Sequence, residues 1–355
     1  MHATGQPVED DALDVLVIGG GQAGLTAGHY LRSAQLRFAI LEAGGRVGDA
    51  WRRRWDSLEL FTTARYSTLP GLPFPGDQER FPGKDEVADY LAAYARALEL
   101  PVQLDTRVTA LRRGDGGYEA HTDGGVWRAR QVIVATGAYQ RPYVPPVAAK
   151  LGEDVTQLHS AGYRNAADVP GDDALVVGGG NSGVQIAQEL AGAGRRVSLA
   201  QGKAIRRVPR RILGRSLHWW GDHLGLITAP LDSLRGRTQR KELLVGTGPR
   251  ELAREHGVTI LPRVVDAEGS TVAFADGRRA GFDAVLWATG FRSDYSWIDA
   301  PVLDERGTPV HRRGVTKAPG LFFLGMHFQH SRGSALIAFV RDDAAFVVDR
   351  IRERR

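Results

Sequence analysis

The chain has 355 residues, 43% of them hydrophobic and 25% charged, which is the composition of an ordinary globular protein and length enough for two domains. It has no cysteine, which excludes disulfide frameworks, thiolate metal sites, cysteine-held iron–sulfur clusters and every Cys-x-x-Cys redox mechanism. The formal net charge of +5, from 46 Lys and Arg against 41 Asp and Glu, is compatible with nucleic acid, an acidic surface or a phosphorylated small molecule, and selects none of them.

The start, MHATGQPVEDD, is polar and acidic where a signal peptide would be basic and then apolar, and no later run reaches the roughly eighteen apolar residues of a membrane span. The chain therefore reads as soluble and cytoplasmic, with no membrane span. DVLVIGGG is a short apolar strand ending in glycines, QAGLTAGHYLRSA has helical spacing, and RFAIL is a second strand, so together they predict a βαβ unit. From Gly44 to Gly83 the chain is rich in Gly, Pro, Arg and aromatics and predicts an ordered loop region over a ligand site. KDEVADYLAAYARALEL then places Val87, Leu91, Tyr94 and Leu98 on one helical face. RVTALRR, GYEAHT and VWRARQVIVATG, separated by the turn signals GDGG and TDGG, predict a small antiparallel meander returning into a buried strand.

The Pro-rich YQRPYVPPVAAKLGED reads as a linker, since proline continues neither a helix nor a strand ladder. After it the order repeats. VVGGGNSGVQIAQELAGAGRRVSLAQ is a second βαβ unit, and PRVVDAE, STVAFAD and GFDAVLWATG form a second meander ending in the same Ala-Thr-Gly. The chain crosses back near ATGFRSDYSW. PGLFFLGMHF reads as a buried strand, and SRGSALIAFVRDDAAFVVDRIRERR as a closing helix that begins near Arg332 and ends in basic residues suited to its dipole.

Gly19-x-Gly21-x-x-Gly24 follows a strand and opens a helix, where glycines permit a tight turn and let the backbone approach a pyrophosphate at the helix N-terminus. Glu42 ends the next strand, placed to accept hydrogen bonds from ribose hydroxyls. Gly178-x-Gly180-x-x-Gly183 has the same context, and one offset of 159 residues relates both Gly19 to Gly178 and Glu42 to Gln201. Gln201 thus replaces the acid, with Lys203, Arg206, Arg207, Arg210 and Arg211 around it, a pattern suited to a ribose carrying a 2′-phosphate. Two sites of different ribose type point to FAD in the first unit and NADPH in the second.

With these pieces in place, GGGQAG, GGGNSG, VIVATG and LWATGF, in this order, resemble two-dinucleotide-binding-domain flavoproteins, specifically the class B flavin-containing monooxygenases in their short bacterial form, over nearly the whole chain. GRVGDAWRRRWDSLELFT is similar to the family's Gly-x-Trp segment beside the flavin, and LHSAGYRN to the end of its linker fingerprint. The resemblance implies an α/β fold of two Rossmann-like dinucleotide-binding domains, each with a small antiparallel meander. It places a discontinuous FAD domain at residues 1–145 and 285–355 and an NADPH domain at 146–284.

By the same resemblance, FAD would lie on Gly19, Gly21, Gln22, Ala23, Gly24, Glu42, Trp51, Val108, Thr136, Gly137 and Gly325. NADPH would lie on Gly178, Gly180, Asn181, Ser182, Gly183, Gln201, Lys203, Arg206, His159, Thr289 and Gly290. The implied activity is NADPH- and O2-dependent oxygenation of a small organic substrate through a C4a-(hydro)peroxyflavin. The sequence departs from the family pattern in three places. Glu153 and Val155 stand where its fingerprint has Phe-x-Gly, Thr62 and Thr63 where many members have Asn, and Met326 where related reductases put Asp.

Thr62, Thr63, Gln329 and His330 are the candidate catalytic residues, with His327 nearby, and a helix beginning near Arg332 would present its dipole to reduced flavin. Trp219 and Trp220 beside RGRTQRK suit enclosure of cofactor or substrate rather than nucleic acid, no metal site is expected, and a homodimer is possible. Two other readings stay open: an NADPH-dependent flavin reductase serving a partner or quinone, and a sensor that binds both cofactors without turnover.

Overall fold

The computed structural model describes residues 13–354, so most of the polar N-terminal stretch lies outside the described residues. The strand Leu13–Ile18 is the centre of a ten-stranded sheet, parallel on one side to Phe38–Leu41 and on the other to Gly125–Val134. It is built of LDVLVI, and Val15, Leu16 and Val17 are fully buried, as a strand covered on both faces requires. Gly125–Val134 also closes an antiparallel meander with Val108–Gly114 and Gly117–Thr122, as the alternation and turn signals predict. Leu321–Phe323 adds to it in parallel, so the chain's last strand returns to the first sheet.

The second unit repeats this arrangement. In a five-stranded parallel sheet, Asp173–Val177 lies between Arg196–Ala200 and Ala284–Trp287, with Thr259–Leu261 and Thr156–His159 outside them. The meanders differ, however. In the first, one unbroken strand of ten residues serves both meander and sheet. In the second, Arg279–Gly281 ends before Ala284–Trp287, leaving a separate three-stranded sheet with Val264–Glu268 and Thr271–Phe274. The break sits at Phe282 and Asp283. Phe282 turns into the core beside Phe274, and the Asp283 carboxylate accepts hydrogen bonds from the backbone N–H of Asp172 and Asp173.

Helix Gln22–Ser33 packs against the closing helix Val340–Arg352, burying Leu25 and Leu31 against a core that includes Val347 and Ile351. Helix Lys84–Ala97 buries Val87, Leu91 and Tyr94 completely, and its N-terminus is fixed by Glu86, which accepts from Gly83 N at 2.9 Å. The hydroxyls of Tyr90 and Tyr94 donate to the carbonyls of Leu72 and Pro70, tying down the Gly- and Pro-rich stretch. That stretch is ordered, with Thr62, Thr63, Ser67, Leu69 and Phe74 buried.

Two sequence expectations need correction. The Pro-rich connection does enter a ladder: Arg141–Pro142 pairs antiparallel with Phe291–Arg292, so the outgoing and returning chains form a two-stranded ribbon. Pro142 is tolerated because the ribbon is an edge on which it need not donate. The closing helix does not begin at Arg332. Arg332–Ala335 is a short 3₁₀ turn and the helix starts at Val340. Ser331 Oγ accepts from Gly333 N, and at Gly333 even a Cβ would come within 2.7 Å of Phe339 Cβ, so the chain doubles back there instead of winding on.

Candidate functional site

The two glycine turns have the same internal geometry. Gly19 and Gly178 lie at φ +111° and +127°, and a Cβ on either would strike the carbonyl oxygen of Ala135 or Ala288. These alanines begin the two Ala-Thr-Gly exits, so in both units the glycine turn is pressed against the start of that exit. At Gly24 and Gly183 a Cβ would collide with the carbonyl of Gly19 or Gly178, so these glycines are demanded by helix–strand approach.

Gly21 and Gly180 are different. Their backbones, at φ −79° and −82°, suit any residue, and a Cβ would meet nothing within 4 Å. The fold itself has no need of glycine at either place. Each residue is an N-cap with no side-chain capping bond, so the first-turn N–H groups of helices Gln22–Ser33 and Asn181–Gly192 face open space. Two vacated surfaces at the N-termini of twelve-residue helices fit two pyrophosphates.

Glu42 sits beside the first turn. Its Oε2 accepts from Gly20 N at 2.7 Å and its Oε1 from Gly44 N at 2.8 Å, which orients the carboxylate and leaves lone pairs on both oxygens for hydroxyls. Gln201 occupies the equivalent position against Gly179. Among the cations after it, Arg207 is bound to Glu251 at 2.6 Å, Arg210 pairs with Glu59, and Arg211 donates to the Glu79 carbonyl. Lys203 and Arg206 are exposed and have no ion pair among the described residues.

Asn181 spends its side chain differently from the expectation of direct cofactor contact. Its amide donates to Leu243 O at 3.1 Å and accepts from Val245 N at 2.9 Å, holding strand Leu243–Val245 and its partner Arg206–Val208 beside the second helix N-terminus. Ser182, Gln22 and Ala23 are in the first turns, and Gly325 is stacked on Ala23, since a Cβ at Gly325 would lie 2.6 Å from Ala23 Cβ. Trp51 is half-buried in the short helix Asp49–Arg52 and packs on the first core. Val108 starts the meander and packs on the other face of that sheet.

The two Ala-Thr-Gly exits are joined through side chains. Gln140 Nε2 donates to Thr136 Oγ1 and Gly137 O, while its Oε1 accepts from Asp294 N at 2.6 Å. Thr289 Oγ1 donates to Tyr143 O. His159 Nδ1 accepts from Ala161 N at 3.0 Å, so the proton is on Nε2, which donates to Gly290 O at 3.0 Å. Burial lowers its pKa, outweighing the bond to Gly290, and keeps it neutral. Arg54 lies over the rings of Tyr139 and Phe291, at 4.9 and 5.2 Å, and so wedges the crossover ribbon from below.

Thr62 and Thr63 lie on a buried wall. Thr62 Oγ1 shares a hydrogen bond of 2.9 Å with Ser67 Oγ, whereas Thr63, fully buried, has no partner for its hydroxyl. Gln329 is also buried; its Oε1 accepts from Met326 N and its Nε2 is unpartnered. His330 is fixed by its backbone N–H on Ser334 Oγ, and His327 stands edge-on to Tyr139 at 5.9 Å. Burial lowers the pKa of both histidines.

Sequence reasoning missed the wall's other half. Phe61 stacks on His218 at 5.7 Å, Tyr66 stacks on Phe339 at 5.6 Å, and Tyr66 OH donates to Asp222 at 3.3 Å. Burial, then Asp222, pushes the Tyr66 phenol up to about 12. His218 is 6% exposed with Nδ1 unpartnered, and burial, then the nearby Arg332, pushes it down to about 4. Beside this wall a cleft of about 280 Å³ lies between Arg206, Val208 and Leu243 on one side and Arg332 on the other. Residues 61, 66, 218 and 339 share no motif, and only tertiary folding brings them together.

A family model described as pyridine nucleotide-disulphide oxidoreductase matches residues 16–212. The chain is similar to an uncharacterized oxidoreductase, CzcO-like, of Geobacillus kaustophilus, with 44% identity over 342 residues covering 96% of this chain and 98% of the relative. Indole-3-pyruvate monooxygenase YUCCA1 of Oryza sativa is 29% identical over 86% of this chain and 82% of its own length. Among solved structures, a flavin-containing monooxygenase from Stenotrophomonas maltophilia superposes with a TM-score of 0.81 at 31% identity, covering 97% of this chain and 99% of that one.

Proposed function

The chain belongs to the pyridine nucleotide-disulphide oxidoreductase family, with a class B flavin-monooxygenase-like fold, and from that premise we propose that it is an oxygenase, inserting one atom of O2 into a small organic substrate. It is an FAD- and NADPH-dependent oxidoreductase, and with no cysteine it has no redox-active disulfide to receive the flavin's electrons. Those electrons go to O2 or to another molecule.

The observation that carries the choice of oxygenation is the closed wall. Thr62, Thr63 and His218 are all at least nine-tenths buried, with Phe61 and Tyr66 packed on His218 and Phe339 stacked on Tyr66. A reductase that serves a protein partner needs an accessible flavin edge, whereas an oxygenase needs water kept from its reacting centre. The wall supports the second requirement.

FAD would be held by the Gly19–Gly24 turn, Glu42 and the Gly325 loop, and NADPH by the Gly178–Gly183 turn with Gln201, Lys203 and Arg206. When bound, FAD supplies hydride acceptance and O2 activation. The chain's own residues do the rest. The two Ala-Thr-Gly exits, tied to the crossover chains through Gln140 and Thr289, hold the nucleotide-binding units in register. Thr63 Oγ1 supplies an unpaired hydrogen-bonding group inside the dry wall, available to a polar reacting atom. Neutral His218 accepts or donates at Nδ1 without bringing charge.

The test is turnover with NADPH and ¹⁸O2 over a panel of amines, sulfides and ketones. One ¹⁸O per product molecule supports the proposal. NADPH consumption that yields only peroxide, or that is strongly accelerated by quinones with no oxygenated product, would replace it by the reductase reading.

A further inference from the structure

The chain's basic character is confined to one segment. Residues 203–241 hold ten Lys and Arg against two Asp, a net charge of +8, so the rest of the chain is net −3. Few of these cations are neutralised. Arg215, Arg235, Arg237 and Arg240 are exposed and make no ion pair among the described residues.

The same segment holds the two most exposed large hydrophobic residues among those described. Leu213 is 87% and Leu234 85% exposed, with Leu224 at 54% and Ile212 at 36%. These residues are connected. Leu213 tips the hairpin Arg211–Ile212/Arg215–Ser216, Trp220 Nε1 donates to Ile212 O at 2.8 Å, and Leu224 follows Trp220 by one helical turn. Next to Leu224, Arg235 Nη1 lies 3.9 Å from the place of a Gly225 Cβ, and Leu234 precedes it. Leu213 is held at φ +49°, a left-handed conformation that leucine adopts at a cost and that Asn or Gly would adopt freely. The hairpin thus keeps a strained, solvent-facing leucine among arginines.

We infer that residues 211–240 form a docking surface for an anionic lipid bilayer, with Leu213 and Leu234 entering the headgroup region and the unpaired arginines binding its phosphates. Exposed leucines at turn tips, ringed by cations, match the chemistry of an interfacial anchor, in which apolar insertion and charge attraction add. A second copy of the chain is a poor occupant. A two-fold contact would set this patch, net +3 over residues 211–240, against its own like charge. Nucleic acid is disfavoured because Trp219 already stacks on His223 at 4.6 Å, under Arg215 at 5.3 Å, leaving leucines rather than rings to face a partner.

The test is co-sedimentation of the full, flavin-loaded chain with phosphatidylcholine vesicles, alone or with about a third phosphatidylglycerol, at low and high salt. Binding to the anionic vesicles only is expected. Arg235→Ser with Arg237→Ser should weaken it about 25-fold, since each cation near the surface contributes about fivefold. Leu213→Asn with Leu234→Gln, which relieves the hairpin strain and so keeps the fold, should weaken it about tenfold or more. Flavin absorbance shows that each variant is folded. The inference is overturned by no binding to anionic vesicles at low salt, by unchanged binding of the leucine variant, by tighter binding to a DNA duplex than to vesicles, or by self-association that the leucine variant abolishes.

Discussion

Replacing Gly21 by Ser separates what the fold needs from what the cofactor needs. A Cβ at Gly21 meets no protein atom, the backbone is at φ −79°, and the helix behind it lacks a side-chain cap. Serine should therefore fit, cap the helix and stabilise the apoprotein by about 0.5–1 kcal/mol, through the new capping bond and a less flexible unfolded chain. The same hydroxyl would occupy the N–H groups meant for pyrophosphate. Each charge-assisted hydrogen bond lost costs about 1.5–3 kcal/mol, so FAD affinity should fall roughly ten- to hundredfold per bond. The apoprotein would melt slightly higher and the holoprotein lower, so the two melting curves move in opposite directions. Gly180→Ser should leave FAD untouched and raise KM for NADPH by a similar factor. Gly24→Ala is the control, because its Cβ would strike Gly19 O and the chain should fail to fold. The assays are flavin titration of apoprotein and thermal melts with and without FAD. Unchanged FAD affinity in folded Gly21→Ser, or an apoprotein destabilised by more than about 2 kcal/mol, would refute the reasoning.

NADPH should be preferred over NADH by about ten- to hundredfold, with Lys203→Ala and Arg206→Ala lowering kcat/KM for NADPH alone; equal use of both nucleotides by the parent would refute this. Thr63→Val removes a buried hydroxyl with no protein partner, so thermal stability should hold or rise while peroxide released per NADPH in the absence of substrate increases several-fold. His218 sits below the ordinary histidine value, at about 4, so the unfolded chain binds the extra proton between about 6.5 and 4. Stability tied to this group is complete above pH ~6.5 and is lost as pH falls toward 4, by up to about 3 kcal/mol; His218→Phe should flatten that part of the melting profile.

Both nucleotide-binding units were legible because their signals are local and steric. Gly24 and Gly183 are forced by the carbonyls of Gly19 and Gly178, five residues away, and the 159-residue offset repeats that contact. Glu42 was legible for the same reason, since strand length alone sets it beside Gly20. The wall was only half legible. Thr62 and Thr63 follow from the family likeness and Gln329 from the expected helix start near Arg332, but Phe61, His218 and Phe339 meet only after distant segments pack. The motif marks Asn181 as part of the second helix N-terminus, while the hold of its side-chain amide on strand Leu243–Val245 is announced by no local pattern. The closing helix was placed too early because Ser331 mimics a helix cap. Crowding of Gly333 against Phe339, a contact made by doubling back, ends that turn.

The ribbon formed by Arg141–Pro142 and Phe291–Arg292 has a mechanical consequence. Two connections tied side by side move as one piece, since neither can slide along the other without breaking the ladder. Arg54, packed on Tyr139 and Phe291, pins the ribbon to the loop region of the first unit. Asn165 on Asp56, Ser57 on Glu189 and Arg210 on Glu59 tie the same two units away from the ribbon, so an opening on that side has to part these contacts as well.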